Sequence, residues 1–374
     1  MVPFFEAVER TLVGGAGTAG YIASGEDLGI EIRRFRGTWL AEADLLPAMD
    51  GAEHSLVVAF VDHHLVEDID AGRMLVDAWK IARDSKGRHS LLLLCFNERE
   101  RDNLIGRYGD LKSNQAVVID QLGERAIRPA LVGVRFLHEC RRLLATALEL
   151  KGVPGFLHLF ISHAKLDGLP LAQSLQHHIK TIPWLTAFYD ATDLAGVVDW
   201  EGELERSAST SLLIILRTDA YEHRPWCQKE ALWAEESGVP TVLVEARPGL
   251  FYPAGELPLE RMPSVRIPDG NLLRVLNAAL RESLRYLLFQ RRVVSLRAAG
   301  LLAPTLLVRA FSYPPSMSGI LKVCHEIGMS EAVIIYPDPQ LRSGPFEAAE
   351  ALVAKKAPNA RLTTPTTLFA SPPP

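Results

Sequence analysis

The sequence predicts an α/β protein in which short, fully apolar strands alternate with helices. The apolar runs Ser55–Val61 and 90–96 are continuous rather than alternating, which is typical of parallel strands covered by helices on both faces. Between them, residues 72–82 carry apolar side chains at helical spacing. A strand, a helix and a second strand in this order indicate a parallel sheet.

Length and composition are those of an ordinary globular protein. The chain has 374 residues, of which 48% are hydrophobic and 23% charged, and this length suits two or three domains. A net charge of -5 with both signs evenly spread argues against general nucleic-acid binding and membrane-surface binding. The four cysteines show no metal-binding spacing, so no metal site is predicted. Without a signal-peptide pattern or a membrane-length apolar run, we expect a cytoplasmic location.

The first predicted domain covers residues 1–151. A helical pattern over 128–151 closes it, and the sequence GVPG at 152–155 is typical of a domain boundary. The sequence GAGTAG at 15–20 has the spacing of a dinucleotide-binding loop, but no strand precedes it, so a flexible glycine loop is the preferred interpretation. Residues 39–62 echo residues 200–219, which is explained either by a degenerate copy of the central domain or by shared patterning.

The second predicted domain, at 155–292, continues the alternation of strands and helices. Its strands are predicted at 156–161, 185–189, 211–216 and 239–244. Ligands of open parallel sheets bind outside the carboxyl ends of the strands. We therefore expect Ser162, His163 and Asp190 near one another, although His163 is also compatible with a structural role and Asp190 with a helix cap.

The strongest functional signal lies between Tyr221 and Glu230. Trp226 and Glu230 are four residues apart, which places an aromatic surface and a carboxylate on one face of a helix. Two roles for Trp226 stay open: stacking on a ligand ring, and anchoring the helix to the sheet. Cys227 is predicted to be a small buried residue rather than a nucleophile, because the sequence places no histidine partner against it.

The third predicted domain, at 300–374, is a small βαβαβ unit that follows a long amphipathic segment at 272–296. Its strands are predicted at 305–310, 332–336 and 361–364, with helices at 318–328 and 346–356. Two arrangements are open: an independent small domain, or an extension of the N-terminal sheet. The proline-rich end at 371–374 is expected to fray.

Taken in order, these features of the central domain resemble bacterial Toll/interleukin-1 receptor (TIR) domains over about residues 156–290. The features are the opening strand with Ser162 and His163, the strand end at Asp190, the loop with Gly196, the helix from Trp200, and the series from Tyr221 through Trp226 and Cys227 to Glu230. The resemblance implies a flavodoxin-like parallel sheet with helices on both faces. For enzymatic members it implies cleavage of the bond between nicotinamide and ribose in NAD+, with Glu230 as the essential carboxylate.

The resemblance also implies a set of binding residues and partners. Residues expected to bind the substrate are Trp226, Ser162, His163, Asp190, Gly196 and Tyr221. NAD+ is then a substrate, no cofactor is required, and self-association through TIR surfaces completes the site. The chain departs from the family pattern at Arg224-Pro225, where a serine is common, and at Ala195-Gly196, where Pro-Gly is common.

The predicted function is that of an NAD+ glycohydrolase or a related ADP-ribosyl cyclase-like hydrolase. The resemblance implies an effector role in bacterial antiviral defence or stress signalling. The alternative is a non-catalytic TIR scaffold that acts by homotypic assembly. A third possibility, compatible with the first, is a receptor in which a flanking unit recognises a small nucleotide or protein trigger.

Overall fold

The computed structural model describes residues 3–4, 6–8, 21–22, 38–114, 116–148, 157–182, 184–188, 199–247 and 262–370. The chain forms two compact units. One runs to Gly155 apart from residues 19–24, and the other comprises residues 19–24 and the chain from Phe156 onward. The strand β1 (Tyr21–Ile22) therefore belongs to the second unit.

The described strands of the first unit form a parallel sheet in the order β2-β3-β4. The elements are α1 (Thr38–Gly51), β2 (Ser55–Val61), α2 (His63–Glu67), α3 (Ile69–Asp84), β3 (His89–Cys95), α4 (Glu98–Arg107), β4 (Val117–Val118) and α5 (Arg128–Ala147). The two strands predicted from continuous apolar runs are confirmed, and they pair in parallel from Ser55 and His89 onward. Carboxylates cap the helices that follow β2: Asp62 accepts from the Leu65 amide at 3.0 Å, and Asp68 accepts from the Ala71 amide at 2.9 Å.

The second unit contains a six-stranded sheet in the order β1-β9-β8-β7-β5-β6. Its elements up to the last strand of this sheet are β5 (His158–His163), α6 (Leu169–Lys180), β6 (Thr186–Phe188), α7 (Trp200–Thr210), β7 (Leu212–Arg217), α8 (Pro225–Glu236), β8 (Thr241–Glu245) and β9 (Ser264–Arg266). The four predicted strands of this domain are confirmed. The edge strands β1 and β9 escape sequence analysis, because strands of two and three residues leave no periodic signal.

The strand order gives this sheet a point of reversal. From β5 to β9 the strands are parallel and lie in the order 2-1-3-4-5, while β1 adds to β9 in the antiparallel direction. This is the flavodoxin-like order, in which the chain moves outward first to one side and then to the other. The α/β class with parallel sheets flanked by helices is thus confirmed, and the switch point lies between β5 and β7.

The C-terminal strands form a separate parallel sheet within the second unit. The remaining elements are α9 (Leu272–Ala298), β10 (Leu307–Ala310), α10 (Met317–Ile327), β11 (Ala332–Ile335), α11 (Ser343–Lys356), β12 (Ala360–Thr363) and α12 (Pro365–Ala370). The sheet order is β10-β11-β12. In the described residues the C-terminal strands therefore do not extend the sheet of the N-terminal unit, which was one of the two arrangements that the sequence left open.

Helix α8 joins the two sheets of the second unit through its C-terminal end. The fully buried Glu235 accepts hydrogen bonds from the Ser316 amide at 2.6 Å and from the Ser316 hydroxyl at 2.7 Å. Glu236 pairs with Lys322 of α10 at 2.5 Å. Tyr313, which follows β10, packs in the same core cluster as Ala231 and residues of β5 and β7. The C-terminal sheet is therefore attached to the helix that carries Glu230.

None of the helices in the described part of the chain combines the length and the apolar character that a bilayer crossing requires. Several predicted features lie outside the described residues: the glycine loop at 15–20, the domain boundary at 152–155, Asp190 with the greater part of the loop at 191–199, and the tail at 371–374.

Candidate functional site

The candidate site lies at the carboxyl ends of β5 and β7, the two strands that flank the switch point. Both strands are apolar and almost wholly buried. Their register pairs Ser162 with Ile215 and His163 with Leu216. Ser162 and His163 thus occupy the last two positions of the strand, at the strand end where the sequence placed them.

The carboxylate of Glu230 is held against β5. Glu230 lies on α8 and is 5% exposed. The Ser162 hydroxyl donates a short hydrogen bond to Glu230 Oε2. A strand-end hydroxyl and a helix carboxylate that are 68 residues apart in the chain therefore meet in the core of the second unit.

Tyr221 extends this contact. It is fully buried in the short 3₁₀ turn Tyr221–His223 that leads into α8. Its hydroxyl oxygen lies 2.7 Å from Ser162 Oγ and donates to the Cys227 carbonyl oxygen at 3.2 Å. Burial, and then the negative charge of Glu230, hold the pKa of Tyr221 well above its ordinary value. Tyr221 therefore stays a neutral hydrogen-bonding group.

The local sequence sets where α8 begins. Arg224 has an extended backbone at the N-cap, and Pro225 occupies the first helical turn, where its missing amide hydrogen costs nothing. The preceding loop is tied down by Asp167, which accepts from the Thr218 hydroxyl at 2.6 Å and from the Ala220 amide at 2.9 Å. The departure from the TIR pattern at Arg224-Pro225 is thus compatible with a well-formed helix start.

A buried ion network lies at the carboxyl ends of β7 and β8. Arg217 is 1% exposed, and its guanidinium contacts the carboxylates of Glu222 and Glu245. Arg247 also pairs with Glu245, at 2.7 Å. Gln228 donates to the Glu222 carbonyl oxygen at 2.6 Å, so the network reaches α8. Sequence analysis missed Arg217, for which the available signal was a cation ending an otherwise apolar strand.

Trp226 packs as a partly buried side chain against the core cluster of the second unit. The ammonium of Lys229 lies 4.1 Å from the centre of its ring, and Lys229 also pairs with Glu201 of α7 at 2.9 Å. These contacts describe an anchor between helix and core, with a cation over the ring. A dinucleotide ring that stacked on the same face of Trp226 would displace Lys229.

His163 and Cys227 are both buried, at 6% and 4% exposed. The Cys227 thiol lies 3.5 Å from the His163 carbonyl oxygen, and His163 Nδ1 lies 3.5 Å from the Ile161 carbonyl oxygen. The prediction that Cys227 is a small buried residue is confirmed. His163 therefore takes part in two contacts at the end of β5, one through its ring and one through its own carbonyl oxygen.

The remaining predicted binding residues belong to the stretch of sequence between β6 and α7. Asp190 and Gly196 lie outside the described residues, as does the loop over 191–198. Asp199, at the end of that loop, caps α7 by accepting from the Gly202 amide at 3.1 Å. Across the described residues, no group of three or more His, Cys, Asp or Glu side chains is arranged to hold a metal ion.

The comparison with known proteins is brief. No protein-family model matches the sequence, and no curated protein matches it.

The surroundings of Glu230 suit its carboxylate to the stabilisation of a positive charge. A carboxylate that is withdrawn from water interacts with a nearby positive charge more strongly than a solvated one, because the local dielectric is lower. The hydrogen bond from Ser162 fixes the orientation of Glu230. Such a group is suited to stabilise a cation that develops at the switch point of the sheet.

Proposed function

We propose that the protein is an NAD+ glycohydrolase whose essential group is the Glu230 carboxylate. The observation that carries this proposal is the buried Glu230 carboxylate, held by Ser162 at the switch point of a flavodoxin-like sheet. Switch points are where open α/β sheets bind nucleotides. The resemblance of the segment from Tyr221 to Glu230 to enzymatic TIR domains supplies the substrate class.

One carboxylate is sufficient for this reaction. Nicotinamide leaves as a neutral base: the electron pair of the bond between ribose and nitrogen moves to the pyridinium nitrogen and cancels its charge. No acid is needed to protonate the leaving group, unlike in ordinary glycoside hydrolysis. The ribose carbon gains positive charge, which Glu230 stabilises, and water then adds to that carbon and releases a proton.

Burial of Glu230 supports this role in two ways. It strengthens the electrostatic attraction to the ribosyl cation, and it limits competition from bulk water. Catalysis requires the ionised form of Glu230, because only a carboxylate stabilises the cation. The hydrogen bond donated by Ser162 favours that form, since a hydrogen bond to a charged acceptor stabilises the charge.

The test is nicotinamide release by the full-length protein at high concentration, measured by chromatography. Glu230→Gln retains the volume of the side chain and an acceptor for Ser162, so it isolates the charge. We expect a loss of at least about 100-fold in rate, the usual cost of one electrostatic group of this kind. The matched control is Glu205→Gln, the same chemical change at an exposed position of α7, which is expected to keep wild-type activity.

The outcomes separate the two candidate functions. Release that disappears in Glu230→Gln and persists in Glu205→Gln supports the enzyme. Because TIR sites are often completed by a second protomer, the assay is repeated on protein assembled at high concentration with a crowding agent. If the wild-type protein still releases no nicotinamide, the enzyme proposal fails, and the non-catalytic scaffold that acts by assembly takes its place.

The wild-type protein and Glu230→Gln together also test the proposed cellular role. If the protein depletes NAD+, its expression in a bacterium lowers the NAD+ pool and slows growth, and Glu230→Gln abolishes both effects. This outcome would support the effector role in defence or stress signalling. Growth inhibition that persists in Glu230→Gln would contradict it.

A further inference from the structure

A row of four oxygen atoms links Glu230 to the backbone of its own helix. In order, they are Glu230 Oε2, Ser162 Oγ, Tyr221 OH and the Cys227 carbonyl oxygen. We call this the hydrogen-bond chain. Its three side chains are buried: Ser162 is 1% exposed, Tyr221 is 0% exposed and Glu230 is 5% exposed. Buried polar groups in contact with one another influence each other more strongly than solvated ones.

The number of available hydroxyl protons determines which group donates in each contact of the hydrogen-bond chain. The hydroxyls of Ser162 and Tyr221 have one proton each to donate, and an ionised carboxylate only accepts. While Glu230 is charged, the Ser162 proton is therefore committed to Glu230 Oε2. The 2.7 Å contact between Ser162 and Tyr221 must then be made by the Tyr221 proton, which in that state is not donated to the Cys227 carbonyl oxygen 3.2 Å away.

Protonation of Glu230 allows the opposite arrangement. Glu230 then donates to Ser162, Ser162 donates to Tyr221, and Tyr221 donates to the Cys227 carbonyl oxygen. The direction of the hydrogen-bond chain is thus coupled to the charge of Glu230. Because bonds to a charged acceptor are stronger than those between neutral groups, the chain stabilises the ionised form more than the protonated form.

We propose, building on the function proposed above, that Ser162 and Tyr221 are positioning residues. They orient the Glu230 carboxylate and keep it ionised, and they do so without contacting the substrate. The burial of both side chains and their contacts with Glu230 and the Cys227 backbone assign them this role. Sequence analysis grouped both with substrate-binding residues, because it had no means of detecting a contact between β5 and α8.

Three charged groups on α8 and on the elements that pack against it are engaged in pairs with residues other than Glu230. Lys229 pairs with Glu201 of α7, and Arg217 of β7 contacts Glu222 and Glu245. On α10, Lys322 pairs with Glu236. The titratable groups near Glu230 also include Cys227 of its own helix and His163, the neighbour of Ser162 on β5, whose carbonyl oxygen contacts the Cys227 thiol.

The experiment titrates Glu230 directly and does not depend on enzyme activity. The full-length protein is labelled with ¹³C at the glutamate side-chain carboxyl, and the Glu230 signal is assigned as the one missing in Glu230→Gln. Its chemical shift is followed against pH in wild type, Ser162→Ala, Ser162→Thr and Tyr221→Phe. These changes at Ser162 are small and Tyr221→Phe keeps the ring, so each variant is expected to fold, which a thermal melt verifies.

Loss of the donor to a carboxylate disfavours the ionised form, so the titration moves to higher pH. For Ser162→Ala we expect the midpoint to rise by about one pH unit, the shift that corresponds to one hydrogen bond to a charged group. Tyr221→Phe should move it less in the same direction, because Ser162 still donates to Glu230. Ser162→Thr retains the hydroxyl and is expected to restore the wild-type midpoint.

Kinetics provide a second readout that a merely structural role would not change. The acid limb of kcat should shift to higher pH in Ser162→Ala, while KM for NAD+ stays at the wild-type value. A Glu230 midpoint that is unchanged in Ser162→Ala overturns the inference, whatever the activity. A protein without NAD+ cleavage but with the shifted midpoint overturns the proposed function and leaves the hydrogen-bond chain in place.

Discussion

The two units place carboxylates near the ends of their parallel strands and use them differently. In the first unit, Asp62 directly follows β2 and caps α2 through the Leu65 amide. In the second unit, the strand β5 is followed by a turn, and α6 starts at Leu169, whose preceding residue Gly168 provides no side-chain cap. There the carboxylate comes from a helix instead, and Glu230 is bonded to Ser162. The presence of a carboxylate near a strand end is therefore not enough to indicate a functional site. The two cases differ in the group that the carboxylate bonds to, a helix amide in the first unit and a buried hydroxyl in the second.

Among the described strands, the order differs between the sheet of the first unit and the six-stranded sheet of the second. The described strands of the first unit run in sequence order, β2-β3-β4, so the chain does not reverse direction across them. The second unit reverses between β5 and β7. The sequence echo between residues 39–62 and 200–219 is thus not accompanied by a common strand order in the described residues. The two explanations of the echo, a degenerate copy and shared patterning of a helix and a buried strand, stay hypotheses.

The largest effect that would test this contrast is on catalysis. Glu230→Gln is expected to lower the rate of nicotinamide release at least about 100-fold. Asp62→Asn makes the same charge change at the strand end of the first unit and keeps a side-chain oxygen for the cap, so its rate should stay at the wild-type value. An equal loss in both variants, measured on protein of verified fold, would remove the distinction between the two carboxylates.

A large effect on stability is expected at Glu235. Glu235→Ala leaves the partly buried Ser316 amide without its acceptor, which we expect to lower the free energy of unfolding by about 1 to 3 kcal/mol. Urea denaturation measures the loss, and hydrogen exchange locates it at the start of α10. The control Glu236→Ala removes an ion pair that is partly exposed and should cost about 0.5 kcal/mol. An equal loss of stability in Glu235→Ala and Glu236→Ala would contradict the role of Glu235 as the acceptor that holds the start of α10.

A smaller effect is expected for the caps of the first unit. Asp62→Ala and Asp68→Ala each remove one carboxylate that accepts from a helix amide, and each should lower stability by about 1 kcal/mol. Hydrogen exchange should show the loss in α2 for the first variant and in α3 for the second. If Asp62→Ala leaves exchange in α2 unchanged, the carboxylate has a role other than capping.

The smallest effect is expected at Lys229. Lys229→Met removes the ammonium above the Trp226 ring and the pair with Glu201, both on the surface side of α8. Stability should fall by no more than about 1 kcal/mol, and the Glu230 titration should not move. If Trp226 stacks on the dinucleotide with that face, the variant will also lower KM for NAD+. An unchanged KM would favour the anchoring role of Trp226.

The elements with a strong hydrophobic pattern could be read from the sequence. The strands β2, β3, β5 and β7 and the long helix α9 lie within a few residues of their predicted bounds, because continuous apolar runs and helical periodicity depend only on nearby residues. Helix α4 was missed since it is highly charged, although its start carries a local signal: Asn97 caps it by accepting from the Glu100 amide at 2.9 Å.

Contacts between distant residues set the limit of what could be predicted. Glu230 was found because its neighbours in sequence form a recognisable series. Its bond to Ser162 depends on the reversal of strand order between β5 and β7, which no local pattern encodes. The same holds for Asp167, which tethers the loop at Thr218, and for Glu235, whose partner Ser316 lies 81 residues further along.

The contact between Glu235 and Ser316 limits where the protein can be divided into fragments. It stands five positions after Glu230 on α8, yet its carboxylate serves as the acceptor for the start of α10. A fragment that stops before residue 300 would lack Ser316, and it would also lack Tyr313, which shares a core cluster with Ala231 and Ala234 of α8. Exchange of residues 156–290 alone between proteins is therefore expected to give a product of lower stability.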